Sequence, residues 1–405
     1  MNYKIENIKK KMEKLNIQGM IITNPSSLRY VLGFDVEGMI FITDKGNLLI
    51  TDSRYIEYAN SMITITDGIA TANISELTDD DNFSFFEDCE RVGFEEFDLT
   101  YSSYSEMIRR YRISDMVETN GLIEKLRMIK DNDEISYIEK ACNITDNCFE
   151  YLKKFIKIGM TEKEIALEIY NYFIKHGADG LAFDTIVASG TNSSKPHAIP
   201  TDKKIEYGDI IVIDFGAKYN GYCADMTRTI FVGEVNKEAE KLYNFLFEVQ
   251  ANATRKFLEG EDTKVIAKSV EYDLNQKNCT LIHALGHGVG IDIHEKPILS
   301  VKSSSILKNN MVVTNEPGLY ISESHGIRLE NELIVRKTVK NEYGQFMEFE
   351  VMTFVPWDLE AINLDMLTIE DKYELNKYHA KVFEVLAPHF EGDELEWLKQ
   401  ATREV

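Results

Sequence analysis

The run Ile210-Ile-Val-Ile-Asp214-Phe-Gly-Ala-Lys-Tyr-Asn220-Gly-Tyr-Cys-Ala-Asp225-Met-Thr-Arg-Thr229 decides how this chain is read. Two β-branched stretches flank Tyr219-Asn-Gly-Tyr222, and Asn-Gly between strands is a strong hairpin signal. With Asn220 and Gly221 as the turn, Asp225 falls opposite Gly216. Asp214 lies two residues before Gly216, so both carboxylates point to one sheet face as diagonal neighbours. Two ionised carboxylates that close on an apolar sheet repel each other unless they are protonated or bridged by a cation.

Working outward, a second acidic pair repeats the pattern. Glu316 follows Met311-Val-Val-Thr-Asn315, and Glu330 sits in Gly326-Ile-Arg-Leu-Glu-Asn-Glu-Leu-Ile-Val335. His287, in His283-Ala-Leu-Gly-His-Gly-Val-Gly290, adds an imidazole on a glycine-rich bend. Five of the eight histidines lie between positions 197 and 325. Asp209 follows a glycine at the start of its run and reads as a turn former. Taken singly, an Asp at a strand end is a cap and a lone His is a packed residue. Together, four carboxylates and one imidazole form a mostly hard-oxygen set without sulfur, which suits Mn²⁺, with Co²⁺, Fe²⁺ or Zn²⁺ as alternatives. So many carboxylates fit two divalent ions with shared ligands better than one.

Composition narrows the class. Of 405 residues, 44% are hydrophobic and 11% aromatic, values of a packed globular chain long enough for two or three domains. No apolar run reaches the length of a membrane span, and no apolar stretch follows the charged start, so neither membrane insertion nor a secretory signal is expected. Cys89, Cys142, Cys148, Cys223 and Cys279 are scattered and contain no CxxC pair, which points to free thiols in a reducing cytoplasm. The formal charge is −23, from 68 acidic and 45 basic residues, and repels nucleic acid and anionic lipid. Residues 341–405 hold 15 Asp or Glu against 5 Lys or Arg, a solvated surface in the plainest reading and a docking surface in the alternative.

The first 120 residues read as a small α/β unit: a helix over 5–15, strands over 19–23, 38–43 and 47–51, and an acidic loop over 75–90. Helices are expected over 131–151 and after the capping-box signature Thr161-Glu-Lys-Glu164. Strands alternate with turns from about 183, helices fit 236–258 and 263–276, strands return over 311–335, and helices resume after Leu367. Without a steady βαβ rhythm, the class is α+β.

The five motifs IDFGAKYNGY, CADMTRT, GHGVG, TNEPGLY and GIRLENELIV resemble the metallopeptidases of the pita-bread fold, which include methionine aminopeptidase, prolidase and aminopeptidase P. The resemblance implies Asp214, Asp225, His287, Glu316 and Glu330 as metal ligands, with Asp225 and Glu330 bridging. Residues 1–125 are similar to a creatinase-type N-terminal domain, through TNPSSLRYVLGF and LLITDSRYIEYA. Residues 126–355 then form the catalytic domain, and 356–405 a helical segment similar to that of long aminopeptidase P. FDTIVASGTNSSKPHA and IHEKP resemble segments of the proline-specific branch. They imply His197 and His294 as catalytic histidines, Glu316 as a proton shuttle, and His283 and Arg328 as substrate-binding residues. The implied activity is release of an N-terminal residue from peptides with proline second, by a homodimer. The alternatives are a prolidase, restricted to Xaa-Pro dipeptides, and a metal-free binding protein on the same fold. Long aminopeptidase P enzymes carry two N-terminal lobes, and this chain has room for one.

Overall fold

The computed structural model describes residues 2–64, 67–234, 236–341 and 344–405. The chain divides into two compact units, Met1–Arg127 and Met128–Val405.

In the first unit, the opening helix Tyr3–Leu15 starts at Asn2, whose side chain accepts the Lys4 and Ile5 N–H groups, and stops at Asn16 in the left-handed conformation. It buries Ile5, Ile8 and Met12, one face at helical spacing. A six-stranded sheet follows, in the order Ile69–Asn73, Asn47–Thr51, Met39–Thr43, Gly19–Ile22, Arg91–Phe94, Asp115–Glu118. Phe41 anchors its core, with ring centroids 4.7 Å from Phe86 and 4.8 Å from Tyr111. The stretch expected as an acidic loop instead contains the helix Asp79–Ser84. Thr78 and Asp81 cap it reciprocally, the three aspartates sit where the helix dipole favours them, and Phe86 behind it is buried.

The second unit begins with two helices, Asn132–Phe155 and Glu162–Lys175, each opened by a capping box (Asp131 with Glu134, Thr161 with Glu164). Phe149, Leu152, Ile165, Ile169 and Phe173 pack them onto Ile211, Ile213 and Phe215 of the strand Ile210–Phe215. Each such fully buried side chain contributes about 1.5–3 kcal/mol of transfer free energy. That strand runs antiparallel to both neighbours, Ile186–Ser189 and Met226–Phe231. A second sheet orders Glu295–Leu299, Gly286–Gly288, Val312–Asn315, Asn331–Asn341 and Gly344–Val351, and Gly318–Ile321 pairs with His325–Arg328. Helices Lys237–Thr254 and Thr263–Asn275 share a core with this sheet through Leu246, Ile266, Val270, Leu285, Val313 and Leu333. The first of them ends before position 258 because Lys256 and Phe257 bond back only three residues, a tight turn that drops Phe257 into the core. Helices Ile369–Leu386 and Gly392–Ala401 close the chain.

Candidate metal centre

Asn220 and Gly221 both have positive φ, 45° and 75°, as a two-residue hairpin of the primed type requires. Tyr219 pairs with Tyr222 and Phe215 with Met226, one continuous register that sets Asp225 across from Gly216. A Cβ on Gly216 would lie 1.8 Å from the Ala224 carbonyl oxygen, so only glycine lets the strands come this close. Glu330 joins them because its N–H donates to the Thr227 carbonyl at 3.3 Å. One oxygen from each of Asp214, Asp225 and Glu330 lies within 4.8 Å of the others.

His287 and Glu316 arrive from the second sheet. A Cβ on Gly286 would meet the Thr314 carbonyl oxygen at 2.1 Å, so glycine before His287 lets that strand press against its neighbour. His287 Nε2 stands 3.4 Å from Asp225 Oδ2 and 3.3 Å from Glu316 Oε1. Its Nδ1 lies 3.1 Å from the Gly288 carbonyl, which assigns the proton to Nδ1 and leaves the Nε2 lone pair facing the carboxylates. Burial, with His294 nearby, lowers the His287 pKa to about 4, so the ring is neutral at pH 7. Burial raises Glu316 to about 8. Asp225 and Glu330 are held well above the ordinary carboxylate range, first by burial and then by the neighbouring carboxylates.

These five side chains fit a divalent cation. Asp214 Oδ1 and Glu330 Oε1 are buried and have no hydrogen-bond partner, an arrangement that is costly without a ligand. Carboxylates that cannot all ionise together, facing a neutral imidazole, are a donor set that a hard cation would discharge. Such a cation would displace protons from Asp225, Glu316 and Glu330, whereas His287, already neutral above about pH 4, offers its Nε2 lone pair without losing one. Because the carboxylate pKa values are raised, proton competition fades as pH rises. The gain in melting temperature on adding Mn²⁺ therefore grows between about pH 6 and pH 8. Calorimetric melts across that range check this, and a gain that is flat or shrinks with pH contradicts it.

Three residues around the cluster escaped the reading of its ligands or stand differently from expectation. Thr227, opposite Asp214 in the ladder, donates its hydroxyl to Glu330 Oε2 at 2.7 Å and accepts from Arg328 Nε at 3.0 Å. Its one available signal was its position two residues past Asp225, on the same strand face. Arg328, expected to bind substrate, is 3% exposed and spent on protein acceptors. Its Nη2 pairs with Asp214 Oδ2 at 2.5 Å, and its Nη1 donates to Tyr320 Oη at 2.7 Å and to the Pro196 carbonyl at 3.2 Å. Burial opposes its charge, but Asp214, Tyr320 and Glu316 outweigh burial and hold its pKa above the ordinary arginine value. Tyr320 Oη also lies 3.1 Å from His283 Nε2, and His283 Nδ1 is 3.9 Å from Glu316 Oε2.

The cluster opens into a cavity of about 500 Å³. His197, His283 and His294 line it, together with the apolar Phe183, Ile186, Ile293 and Ile298. The His294 ring stands edge-on to His287 with centroids 4.4 Å apart. Every residue expected at the site thus borders one space. A cavity of similar size, about 520 Å³, lies among Glu150, Tyr172 and Trp397, and none of the expected site residues lines it.

Comparison with known proteins gives these motifs their context. The model of metallopeptidase family M24 matches residues 136–337, that of the creatinase/prolidase N-terminal domain residues 4–129, and that of the C-terminal region of peptidase M24 residues 345–405. The Xaa-Pro dipeptidase of Pyrococcus horikoshii is 33% identical over 344 residues, 83% of this chain and 95% of that protein. The chain belongs to metallopeptidase family M24. Two solved structures carry the likeness into three dimensions. The Xaa-Pro dipeptidase from Bacillus anthracis superposes with a TM-score of 0.80 at 35% identity, over 88% of this chain and 98% of that one. The X-Pro aminopeptidase from Thermotoga maritima gives a TM-score of 0.75 at 32% identity, over 86% and 98%. The fold is the expected one, a creatinase-type domain followed by an α+β pita-bread metallopeptidase domain. At the finer level, the names of these M24 relatives fit the dipeptidase alternative better than the aminopeptidase reading that the sequence put first. Among the described residues, no helix is long and apolar enough to cross a membrane.

Proposed function

We propose that this M24 enzyme hydrolyses the bond between an N-terminal residue and proline in the cytoplasm, with Xaa-Pro dipeptides as its first substrates. In this reading Asp214, Asp225, His287, Glu316 and Glu330 hold two divalent ions, Mn²⁺ foremost. The convergence of these five side chains at one cavity is the observation that carries the proposal. Ions held there would supply Lewis acidity and a nucleophilic water at neutral pH. The rest falls to the chain's own groups. Glu316, ionised once a bound cation has displaced its proton, accepts a proton and passes it towards the leaving proline nitrogen. His197 and His294 face the scissile carbonyl, and each donor of this kind lowers the barrier by about 3 kcal/mol as negative charge develops on the oxygen. Proline's nitrogen is tertiary and its φ is fixed near −65°, so a pocket that asks for ring shape instead of an N–H selects it. Phe183, Ile293 and Ile298 offer that apolar surface. The proposal extends to a homodimer that binds neither nucleic acid nor membrane.

A specific observation favours a second reading, an aminopeptidase acting on longer Xaa-Pro peptides. A strict dipeptidase pairs the carboxylate after proline with a cation. Among the described residues lining the cavity, the one guanidinium is Arg328, already spent on Asp214, Tyr320, Thr227 and Pro196. Assays of matched Xaa-Pro dipeptides and Xaa-Pro-Xaa tripeptides with Mn²⁺ separate the two. The dipeptidase reading expects kcat/KM at least about tenfold higher for the dipeptide. A preference for the tripeptide transfers the assignment to the aminopeptidase and leaves the metal centre as described.

A further inference from the structure

The C-terminal region, residues 345–405, lines no part of the catalytic cavity among the described residues, yet it is bonded to the backbone behind the metal centre. The contact runs through Arg228. It follows Thr227 on the strand Met226–Phe231, so its side chain leaves the opposite face from the carboxylates. It is 2% exposed and among the largest fully buried side chains. Its Nη1 donates to the Thr227 carbonyl at 3.0 Å and to the Glu330 carbonyl. Its Nη2 donates to Asn331 Oδ1 at 2.8 Å, to the Val355 carbonyl at 2.9 Å and to Tyr378 Oη at 3.1 Å. The guanidinium also lies over the Trp357 ring, 4.1 Å from its centroid.

One planar cation therefore grips three things at once: the strand after Asp225, the backbone of Glu330, and the C-terminal region at Val355, Trp357 and Tyr378. Further bonds keep that region in place. Met352 N–H donates to the Glu332 carbonyl at 2.8 Å, and Glu332 N–H donates to Thr353 Oγ1 at 3.1 Å. Phe354 N–H donates to Asp146 Oδ2 at 2.8 Å, and Trp357 N–H donates to His379 Nε2 at 3.1 Å. Burying a guanidinium is costly, and apolar residues would fill the same space at lower cost. What they cannot do is hold the Thr227 and Glu330 carbonyls at a set separation, which the rigid fork of arginine does.

We infer that Arg228 is a positioning residue of the metal centre, through which the C-terminal region sets the place of Glu330. This rests on the metal-centre reading proposed above. A small displacement of the Glu330 backbone alters the spacing of Asp214, Asp225 and Glu330, and the affinity of a metal site is sensitive to such supports.

Tyr378→Phe tests the inference with little disturbance, since the ring keeps its packing beside Trp357 and loses only the hydroxyl. Mn²⁺ binding to the metal-free full chain is measured by titration calorimetry for wild type, Tyr378→Phe, Arg228→Lys and the double variant, with circular dichroism to establish folding. Tyr378→Phe is expected to weaken Mn²⁺ about tenfold, and Arg228→Lys more. The double variant is expected to bind no more weakly than Arg228→Lys alone, because the Tyr378 hydroxyl, which also bonds the Thr353 and Val355 carbonyls, reaches the Glu330 backbone through Arg228. If Arg228→Lys does not fold, Tyr378→Phe decides by itself. Wild-type affinity in a folded Tyr378→Phe protein overturns the inference, whatever its melting temperature. A wild type that takes up no Mn²⁺ overturns the metal-centre reading and this inference with it, a result that the variant data cannot mimic.

Discussion

Asp225→Ala lowers kcat/KM by at least about 10³ and leaves the protein short of metal. Asp225 is the carboxylate that stands in both halves of the cluster. One of its oxygens lies within 4.8 Å of the Asp214 and Glu330 oxygens, and Oδ2 is 3.4 Å from His287 Nε2. In the proposed two-ion reading its removal takes a ligand from each ion, whereas loss of Asp214 would strip one. The same change removes a buried carboxylate whose pKa burial and Glu330 hold well above the usual range. The metal-free variant is accordingly expected to melt no lower than the metal-free wild type. Metal content by mass spectrometry beside a kinetic assay checks both parts. Unchanged stoichiometry with an unchanged rate removes Asp225 from the site.

His197→Ala has the second largest effect, a loss of about 10² to 10³ in kcat with metal content retained. His197 lines the cavity but does not belong to the converging carboxylates or to His287. A group that donates to the carbonyl oxygen as charge develops acts in the transition state, so kcat should fall more than KM rises. His294 is the less clean target, because its ring packs edge-on against His287 and its loss would disturb a ligand. If metal content in His197→Ala falls in parallel with the rate, His197 has to be counted among the ligands.

The first acidic pair was legible from local sequence because a two-residue Asn-Gly turn fixes the register on both sides of it, and Asp214 and Asp225 then fall on one face by period alone. Glu316 and Glu330 had no such local rule. Glu316 is drawn in by a bond from its N–H to the Leu285 carbonyl, and Glu330 by one to the Thr227 carbonyl, long-range contacts that no spacing predicts. Both glutamates stand out in the sequence as carboxylates set in apolar runs, and their placing as ligands beside the first pair came from the motifs' resemblance to a family. Arg328, expected as a substrate contact, lines the cavity and also meets Asp214 across 114 positions, a pairing that its place beside Glu330 in sequence does not announce. The helix Asp79–Ser84 was hidden by its own charge, since three consecutive aspartates look like a loop until Thr78 is seen to cap them. The choice between dipeptidase and aminopeptidase was the least legible. Both need the same five donors and the same histidines, and they differ in what closes the pocket beyond proline.

The most direct measurement is Xaa-Pro hydrolysis by protein stripped of metal with a chelator, with Mn²⁺ added back in steps. The account predicts no turnover by the stripped protein and recovery that saturates at two equivalents of Mn²⁺ per chain. Full turnover by protein verified to be metal-free would contradict it.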